Sequence, residues 1–257
     1  FDIARIVSFQ KPKIIFLENV KNFIKHDKGK TLKTVVSTLE KLNYSVFYQV
    51  LNTSNFGLPQ NRERVYIVCF NNSQFNNIEF NFPKLNLVSS LTKFLEDNPK
   101  DGKKIVREDT FLYKKEVDTN KNIFGEITLP NKPIQIGKIN KGGQGERIYH
   151  PKGHAITLSA HGGGVGAKTG LYKIKNTIRK LSPRECARIQ GFPESHIFPK
   201  SIAEAHKQFG NSVSINTLQY IIFEILKTIH KNERGATTGF SDSQKRIQKR
   251  EEYSPKI

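Results

Sequence analysis

A carboxylate and two guanidinium groups stand next to short apolar runs that predict β-strands. Glu18 directly follows the run KIIFL at 13–17, and Arg62 and Arg64 stand at the start of the run RVYIVCF at 64–70. In an open α/β sheet the carboxyl end of a strand faces the ligand crevice, so Glu18 could contact a polar ligand there. A surface role stays open for each residue alone, because glutamates are mostly solvated and exposed arginine ion pairs are common.

A basic, glycine-rich stretch later in the chain could bind a polyanion. Residues 132–200 hold 13 Lys and Arg against 3 Asp and Glu, a net +10, and 10 of the 18 glycines lie between Gly137 and Gly170. Such a stretch lets the backbone approach a phosphate chain or a base edge closely. A flexible, solvated loop is the alternative that composition alone leaves open.

The whole chain is strongly basic, since 42 Lys and Arg against 23 Asp and Glu give +19 over 257 residues. This charge favours nucleic acid as the partner, with an anionic membrane surface second. We recognise no apolar run long enough to span a bilayer and no signal peptide, which predicts a cytoplasmic protein outside the membrane. Two cysteines, Cys69 and Cys186, can form neither a disulfide scaffold nor a four-cysteine zinc site, and we predict no metal site. The chain starts at Phe1 and contains no Met, so we expect it to be a piece of a longer protein.

Apolar periodicity predicts the strand–helix–strand order that is typical of α/β folds. The first helix is expected at 1–9, with Ile3, Ile6 and Val7 at helical spacing. The next elements are expected to be a strand at 13–17, a helix at 29–42, and strands at 45–51 and 64–70. From residue 134 to residue 172, short β-type runs alternate with glycines, which predicts a small β-rich unit.

Helical signals return towards the end of the chain. Ser182 is expected to cap a helix that Pro183 begins, with Glu185 completing a capping box. Residues 231–257 predict a polar, basic tail. Before it, a helix running to residue 229 is expected to carry the apolar residues Ile215, Leu218, Ile222, Ile225, Leu226 and Ile229.

Seven segments in this order resemble the C-terminal motif set of the DNA cytosine-5 methyltransferases. They are FDIARIV, LENVKNF, GLPQNRERVYIVCF, GKINKGGQGERIY, AITLSAHGGG, RKLSPRECAR and KQFGNSVSINTLQYI. Together they closely resemble one bacterial member of the family, from just after its catalytic loop to its end. The resemblance covers residues 1–70 and 132–228 and is faint between them.

The resemblance implies a fold of two parts. These are the C-terminal part of a Rossmann-like, S-adenosylmethionine-dependent methyltransferase domain, of the α/β class, and a small β-rich target-recognition domain. We expect the catalytic domain, without its N-terminal half, at 1–94, and the target-recognition domain at 95–182. The rest would be a hinge or return segment at 183–210, the final helix of the catalytic domain at 211–230, and the basic tail at 231–257.

The resemblance also implies roles for the residues that could do chemistry. Glu18 would hydrogen-bond N3 and the exocyclic amine of a flipped cytosine, which requires a proton on Glu18 and a pocket that excludes water. Arg64 would hold the cytosine O2 with support from Arg62. Asn211 and Ser212 match the last family motif, which packs against the S-adenosylmethionine site.

Two parts of the family machinery have no counterpart in this sequence. There is no Pro-Cys-Gln motif to supply the nucleophile, and the first glycine-rich loop for the cofactor is missing. Cys69 and Cys186 do not match the nucleophile position, and Cys69 is predicted to be a buried core residue.

DNA contacts are implied for the basic, glycine-rich stretch. The residues that match this part of the family are Gln144, Arg147, Thr157, Ser159, His161, Gly162, Gly163 and Gly164. His161 departs from this pattern, since we expect Tyr at that position in the bacterial family member that the segments resemble.

Two functions from different classes follow. The first is an S-adenosylmethionine-dependent DNA (cytosine-5) methyltransferase of a restriction-modification system, which flips its target base in a short G/C-rich duplex site, with GCGC as the expected site. It would act as a monomer when complete, and the present chain would be inactive without a missing N-terminal half. The second is a catalytically inactive DNA-recognition subunit, or a truncated relic, with double-stranded DNA and a complementary subunit as partners.

Overall fold

The computed structural model describes residues 2–114 and 130–236. Its helices are α1 (Asp2–Gln10), α2 (Lys30–Lys41), α3 (Pro183–Ile189), α4 (Ile202–Asn211) and α5 (Ile215–Ala236). Its strands are β1 (Ile14–Val20), β2 (Tyr44–Asn52), β3 (Gln60–Asn61), β4 (Glu63–Asn71), β5 (Thr110–Leu112), β6 (Gln135–Ile139), β7 (Arg147–Tyr149), β8 (Ala155–Ile156), β9 (Leu171–Ile174) and β10 (Thr177–Arg179). Residues 237–257 of the predicted tail lie outside the described residues.

The first sheet has the order β1-β4-β2, and both outer strands run antiparallel to β4. The predicted strands and the helix between them are therefore confirmed. Side chains alternate between the two faces of a strand, and a core cluster covers each face of β4. One core cluster joins α1 and α2 to Val65, Ile67 and Cys69, and another joins α5 to Tyr66, Val68 and Phe70.

The terminal helices bury narrower stripes than their sequences suggest. On α1 only Val7 is buried, whereas Ile3 and Ile6 are about half exposed. On α5, which continues to Ala236 rather than ending near residue 229, Ile222 and Leu226 are likewise exposed. The apolar stripe of each helix is wider than the surface that packs against the neighbouring layer, so the edge of the stripe stays exposed.

The second sheet has the order β10-β9-β7-β6-β5 and contains the predicted β-rich unit. Its own small core includes Ile139, Ile148 and Leu171, all fully buried. A separate two-stranded parallel ladder pairs β3 with β8, so the two residues of β3 are linked to the strand that precedes the TLSA segment. This ladder joins residues that lie almost a hundred positions apart in the sequence.

Helix α3 begins as its sequence predicts. The Ser182 hydroxyl accepts a hydrogen bond from the Glu185 backbone N–H, and the Glu185 carboxylate accepts one from the Ser182 N–H. The sequence does not reveal that Glu185 is also fully buried and forms a two-pronged ion pair with Arg179 at the end of β10, with both N–O distances 2.7 Å. The cap residue of the helix thus also fastens the helix to the second sheet.

Across the described ranges, the helices are all too short or too polar to cross a lipid bilayer.

Candidate functional site

Glu18 and Arg64 meet at one end of the first sheet. The register of β1 against β4 sets Glu18 opposite Tyr66 and Val20 opposite Arg64, and the Arg64 Nε lies 2.9 Å from the Glu18 Oε1. Arg64 Nη1 also donates to the Glu63 carbonyl at 2.9 Å. The two predicted base-binding side chains therefore form one fixed unit, which the sequence could only suggest.

The Glu18 side chain is 29% exposed. The Glu18 carboxylate pairs with Arg64, and water still reaches it. The water-free pocket that a protonated Glu18 requires is therefore not formed by the described residues of this chain alone. Closure of the pocket needs a further surface against this end of the sheet.

Arg62, the single residue between β3 and β4, is buried rather than presented to a ligand. Its guanidinium donates to three backbone carbonyls, those of Leu158 at 3.0 Å, Gly210 at 3.2 Å and Ser212 at 2.6 Å. Burial, and then the neighbouring Arg64, lower the pKa of Arg62 to about 10. Arg62 thus supports the site by holding together the segment after β8 and the end of α4.

Two glutamines that the sequence analysis did not select complete this junction. Gln60 is fully buried, donates to the Ile189 carbonyl at 3.1 Å and accepts from the Leu158 N–H at 3.3 Å. Gln190, also buried, donates to the Phe209 carbonyl at 2.8 Å and to the Ser212 hydroxyl at 3.1 Å. Their place within the QNRER and RIQGFP segments is the signal that could have identified them.

Asn211 and Ser212, the predicted cofactor residues, lie at the end of α4. The Ser212 hydroxyl is already engaged, because it donates to the Phe209 carbonyl at 2.9 Å and accepts from Gln190. Asn211 is exposed, and its side-chain amide has no hydrogen-bond partner within the described ranges. Asn211 is thus the residue of this pair whose polar atoms are open to a ligand, whereas Ser212 holds the turn.

A pocket of about 270 Å³ gathers three of the predicted DNA-contacting residues, Gln144, Arg147 and Thr157. Asn61 and Tyr149, which the sequence analysis did not select, also line it. Gln144 and Arg147 belong to a 3₁₀ turn and the start of β7, and Thr157 follows β8.

The remaining predicted contact residues form an exposed loop beside that pocket. The loop packs on Gly145, where an added Cβ would lie 2.1 Å from the Gly163 carbonyl oxygen, so that the two glycine-containing segments touch. His161 and Gly162 to Gly164 are exposed, and the Ser159 hydroxyl donates to the His161 carbonyl at 2.6 Å. The Ser159 hydroxyl therefore stabilises the loop conformation.

Neither cysteine can act as the missing nucleophile in this structure. Cys69 and Cys186 are fully buried, and burial raises the pKa of Cys69 to about 12 and that of Cys186 well above its usual value. The reactive thiolate is thus strongly disfavoured at both positions. The predicted core position of Cys69 is confirmed.

Comparison with known proteins gives concordant results. The family model described as C-5 cytosine-specific DNA methylase matches residues 1–227. The type II methyltransferase M.HhaI of Haemophilus parahaemolyticus is 49% identical over 227 residues, which are 88% of this chain and 66% of M.HhaI. M.SsoII of Shigella sonnei is 35% identical over 89% of this chain and 57% of its own length. The chain therefore spans less than two thirds of these relatives.

Solved structures share the fold at low sequence identity. A structure of a putative DNA modification methyltransferase encoded within an E. coli prophage matches with a TM-score of 0.60 at 18% identity, covering 88% of this chain and 72% of that chain. The Dnmt2 methyltransferase of S. pombe matches with a TM-score of 0.57 at 19% identity, covering 85% and 66%. The predicted mixed α/β methyltransferase fold is confirmed.

Proposed function

Because this chain belongs to the C-5 cytosine-specific DNA methylase family, we propose that it forms the base-binding and DNA-recognising part of a DNA (cytosine-5) methyltransferase. The observation that carries the proposal is the Glu18–Arg64 pair at the end of the first sheet. A carboxyl and a guanidinium held together offer both a hydrogen-bond acceptor and donors to one edge of a planar base. Cytosine presents the complementary groups on that edge, namely the exocyclic amine, N3 and O2.

The residues of this chain would bind and orient a cytosine that has left the base stack. The Glu18 carboxyl accepts from the exocyclic amine and donates to N3 once it carries a proton. Arg64 uses its remaining N–H groups for O2 while its Nε stays on Glu18. A bound base and the DNA around it would displace the water that reaches Glu18.

S-adenosylmethionine, when bound near Asn211, would supply the methyl group. The thiolate that adds to cytosine C6 must come from outside this sequence, which has no Pro-Cys-Gln motif and whose two cysteines are buried. A complementary N-terminal part is therefore the proposed partner, beside double-stranded DNA, and the complete enzyme would be a monomer acting on bacterial DNA.

A second candidate, a DNA-recognition subunit without catalysis, is favoured by that same missing nucleophile. Both candidates predict DNA binding, and they separate when the chain is joined to an N-terminal half that carries a Pro-Cys-Gln loop. Methyl transfer by the joined protein supports the enzyme, whereas continued inactivity supports the binding subunit.

The 257-residue chain alone is expected to bind duplex DNA in a salt-dependent way and to transfer no methyl groups. If about five phosphates are contacted, log K should fall with log salt at a slope of about −4 to −5. Fluorescence anisotropy across a salt series and tritiated methyl transfer measure the two parts. Incorporation by the isolated chain that disappears when Cys69 or Cys186 is replaced would contradict the assignment of both thiols to the core.

The proposed target is a short G/C-rich site, with GCGC as the specific proposal, and Arg147 is the proposed base-reading residue. In an assembled enzyme, Arg147→Ala should cost about 1–3 kcal/mol of discrimination because a bidentate Arg–guanine contact is lost. Competition binding between GCGC and single-mismatch duplexes measures this, with Arg5→Ala, an exposed arginine on α1, as the control. An even loss across all sequences would instead assign Arg147 to a phosphate, and bisulfite mapping to another site would refute GCGC.

A further inference from the structure

Asn61, the second residue of β3, is a polar residue that lines the same pocket as Arg147. We propose that the Asn61 side-chain amide donates a hydrogen bond to a backbone phosphate oxygen of the bound DNA, an inference that rests on the proposed function. It would hold the DNA backbone at the pocket that Gln144 and Arg147 also line.

The backbone of Asn61 is held in place from two directions. Asn61 pairs with Ile156 in the β3–β8 ladder, and the Thr157 hydroxyl donates to the Asn61 carbonyl at 2.5 Å. Side chains alternate along a strand, and Gln60 points into the buried junction. The Asn61 side chain therefore leaves β3 on the other side, where it lines the pocket.

The orientation of the Asn61 amide follows from fixed backbone donors. The Asn52 Oδ1 accepts from the backbone N–H groups of Ser54 at 3.3 Å and Arg62 at 3.0 Å, and a backbone N–H can only donate. The Asn52 amide nitrogen must therefore be the group that lies 2.7 Å from the Asn61 side chain, and it donates to the Asn61 Oδ1. This leaves the Asn61 Nδ2 as a donor without a hydrogen-bond partner in the ranges 2–114 and 130–236.

A donor of this kind cannot make the bidentate contact by which asparagine reads adenine. The bidentate reading of adenine needs the Asn oxygen as an acceptor and the nitrogen as a donor, and here Asn52 already occupies the oxygen. The exposed cation Arg147 lines the same pocket, and it has no carboxylate partner in the described part of the chain. The nearby Glu146 carboxylate is held by the Asn140 amide at 2.8 Å and the Gly143 N–H at 2.9 Å.

The residues lining this pocket include donors and a cation but no carboxylate. Charge-assisted hydrogen bonds to phosphate are the strong ones, and phosphate contacts fix the register of a protein on DNA without reading its sequence. The Asn61 contact is accordingly expected to strengthen the binding of every duplex equally.

The test compares the unaltered 257-residue chain with Asn61→Asp. Aspartate keeps an oxygen for Asn52 and replaces the free donor with a carboxylate oxygen that repels phosphate. Binding to a GCGC duplex and to a scrambled duplex of equal length should weaken by roughly 10-fold or more for both, as expected when a charge-assisted hydrogen bond is lost. Asn81→Asp, which makes the same charge change at an exposed residue outside the pocket, should stay within about twofold, since it loses no phosphate contact.

Asn61→Ala removes the donor without adding charge and should weaken both duplexes by a smaller factor, with a melting temperature close to that of the unaltered chain. If Asn61→Asp does not fold, the Asn61→Ala result decides. Equal affinities of the Asn61 and Asn81 variants would overturn the phosphate contact, and so would a loss confined to the GCGC duplex. An unaltered chain that binds neither duplex would refute the proposed function itself.

Discussion

Replacing Glu185 with alanine is expected to lower the free energy of unfolding by about 3–5 kcal/mol, because it leaves Arg179 as a buried cation without its anion. The Glu185 side chain is 0% exposed and that of Arg179 5%. The carboxylate also accepts hydrogen bonds from the backbone N–H groups of Ser182 and Glu96, both at 2.8 Å. The substitution thus removes the acceptor of three donor groups, namely the Arg179 guanidinium and the backbone N–H groups of Ser182 and Glu96.

Urea unfolding of the purified chain, followed by circular dichroism, measures this loss. Glu194→Ala is the matched control, since Glu194 is 64% exposed and pairs with Arg188 at the surface, where such a pair contributes at most about 1 kcal/mol. A Glu185 variant that unfolds at the same urea concentration as the Glu194 variant would show that the buried pair does not fasten α3 to the second sheet.

Replacing Glu18 with alanine in the enzyme reassembled with its N-terminal half is expected to lower kcat by roughly 100-fold to 10,000-fold. This range is typical for the loss of a positioned proton donor. The affinity for duplex DNA should change little, because Glu18 contacts only the flipped cytosine, whereas the proposed phosphate contact and sequence-reading contact lie in the pocket that Asn61 and Arg147 line. Glu18→Gln should retain hydrogen bonds to the base but fail to transfer the proton.

Single-turnover methyl transfer, with tritiated S-adenosylmethionine and a GCGC duplex, measures the chemical step separately from binding. Glu63→Gln provides the control on the same sheet, because Glu63 is 38% exposed and pairs with Lys21 rather than with Arg64. A Glu18→Ala enzyme with turnover within about threefold of the Glu63 control would remove Glu18 from the proposed chemistry.

The local elements of this protein could be predicted because their signals are local. The run at 65–70 is apolar at every position, and this is the pattern of a strand buried on both faces, which β4 is over those residues. Ser182, Pro183 and Glu185 lie within one helical turn, so their capping geometry follows from sequence spacing alone. The motif resemblance likewise depends on short segments in order, and it identified the family.

The residue roles implied by that resemblance stay predictions, but the structure decides which residues can share a site. It brings Glu18 to Arg64 and buries Arg62 under three backbone carbonyls. Without the family resemblance, which assigns the cytosine O2 to Arg64 and a supporting role to Arg62, the two arginines of QNRER look equivalent in the sequence. Arg64 lies in the ladder of β4 and faces the open end of the sheet. Arg62 lies at the connection to β3 and faces the buried segments after β8 and at the end of α4.

The sequence by itself determined the family, the α/β class, the positions of the main strands and helices, and the absence of a Pro-Cys-Gln nucleophile. Only the tertiary structure decided that β4 lies between β1 and β2, that Glu185 pairs with Arg179, and that Asn61 presents an unpaired donor beside Arg147. The physical reason is the range of the interactions. Backbone periodicity and capping act over three or four residues, whereas a buried polar group takes its partner from whichever distant segment packing places beside it, as Arg62 does with Ser212 across 150 positions.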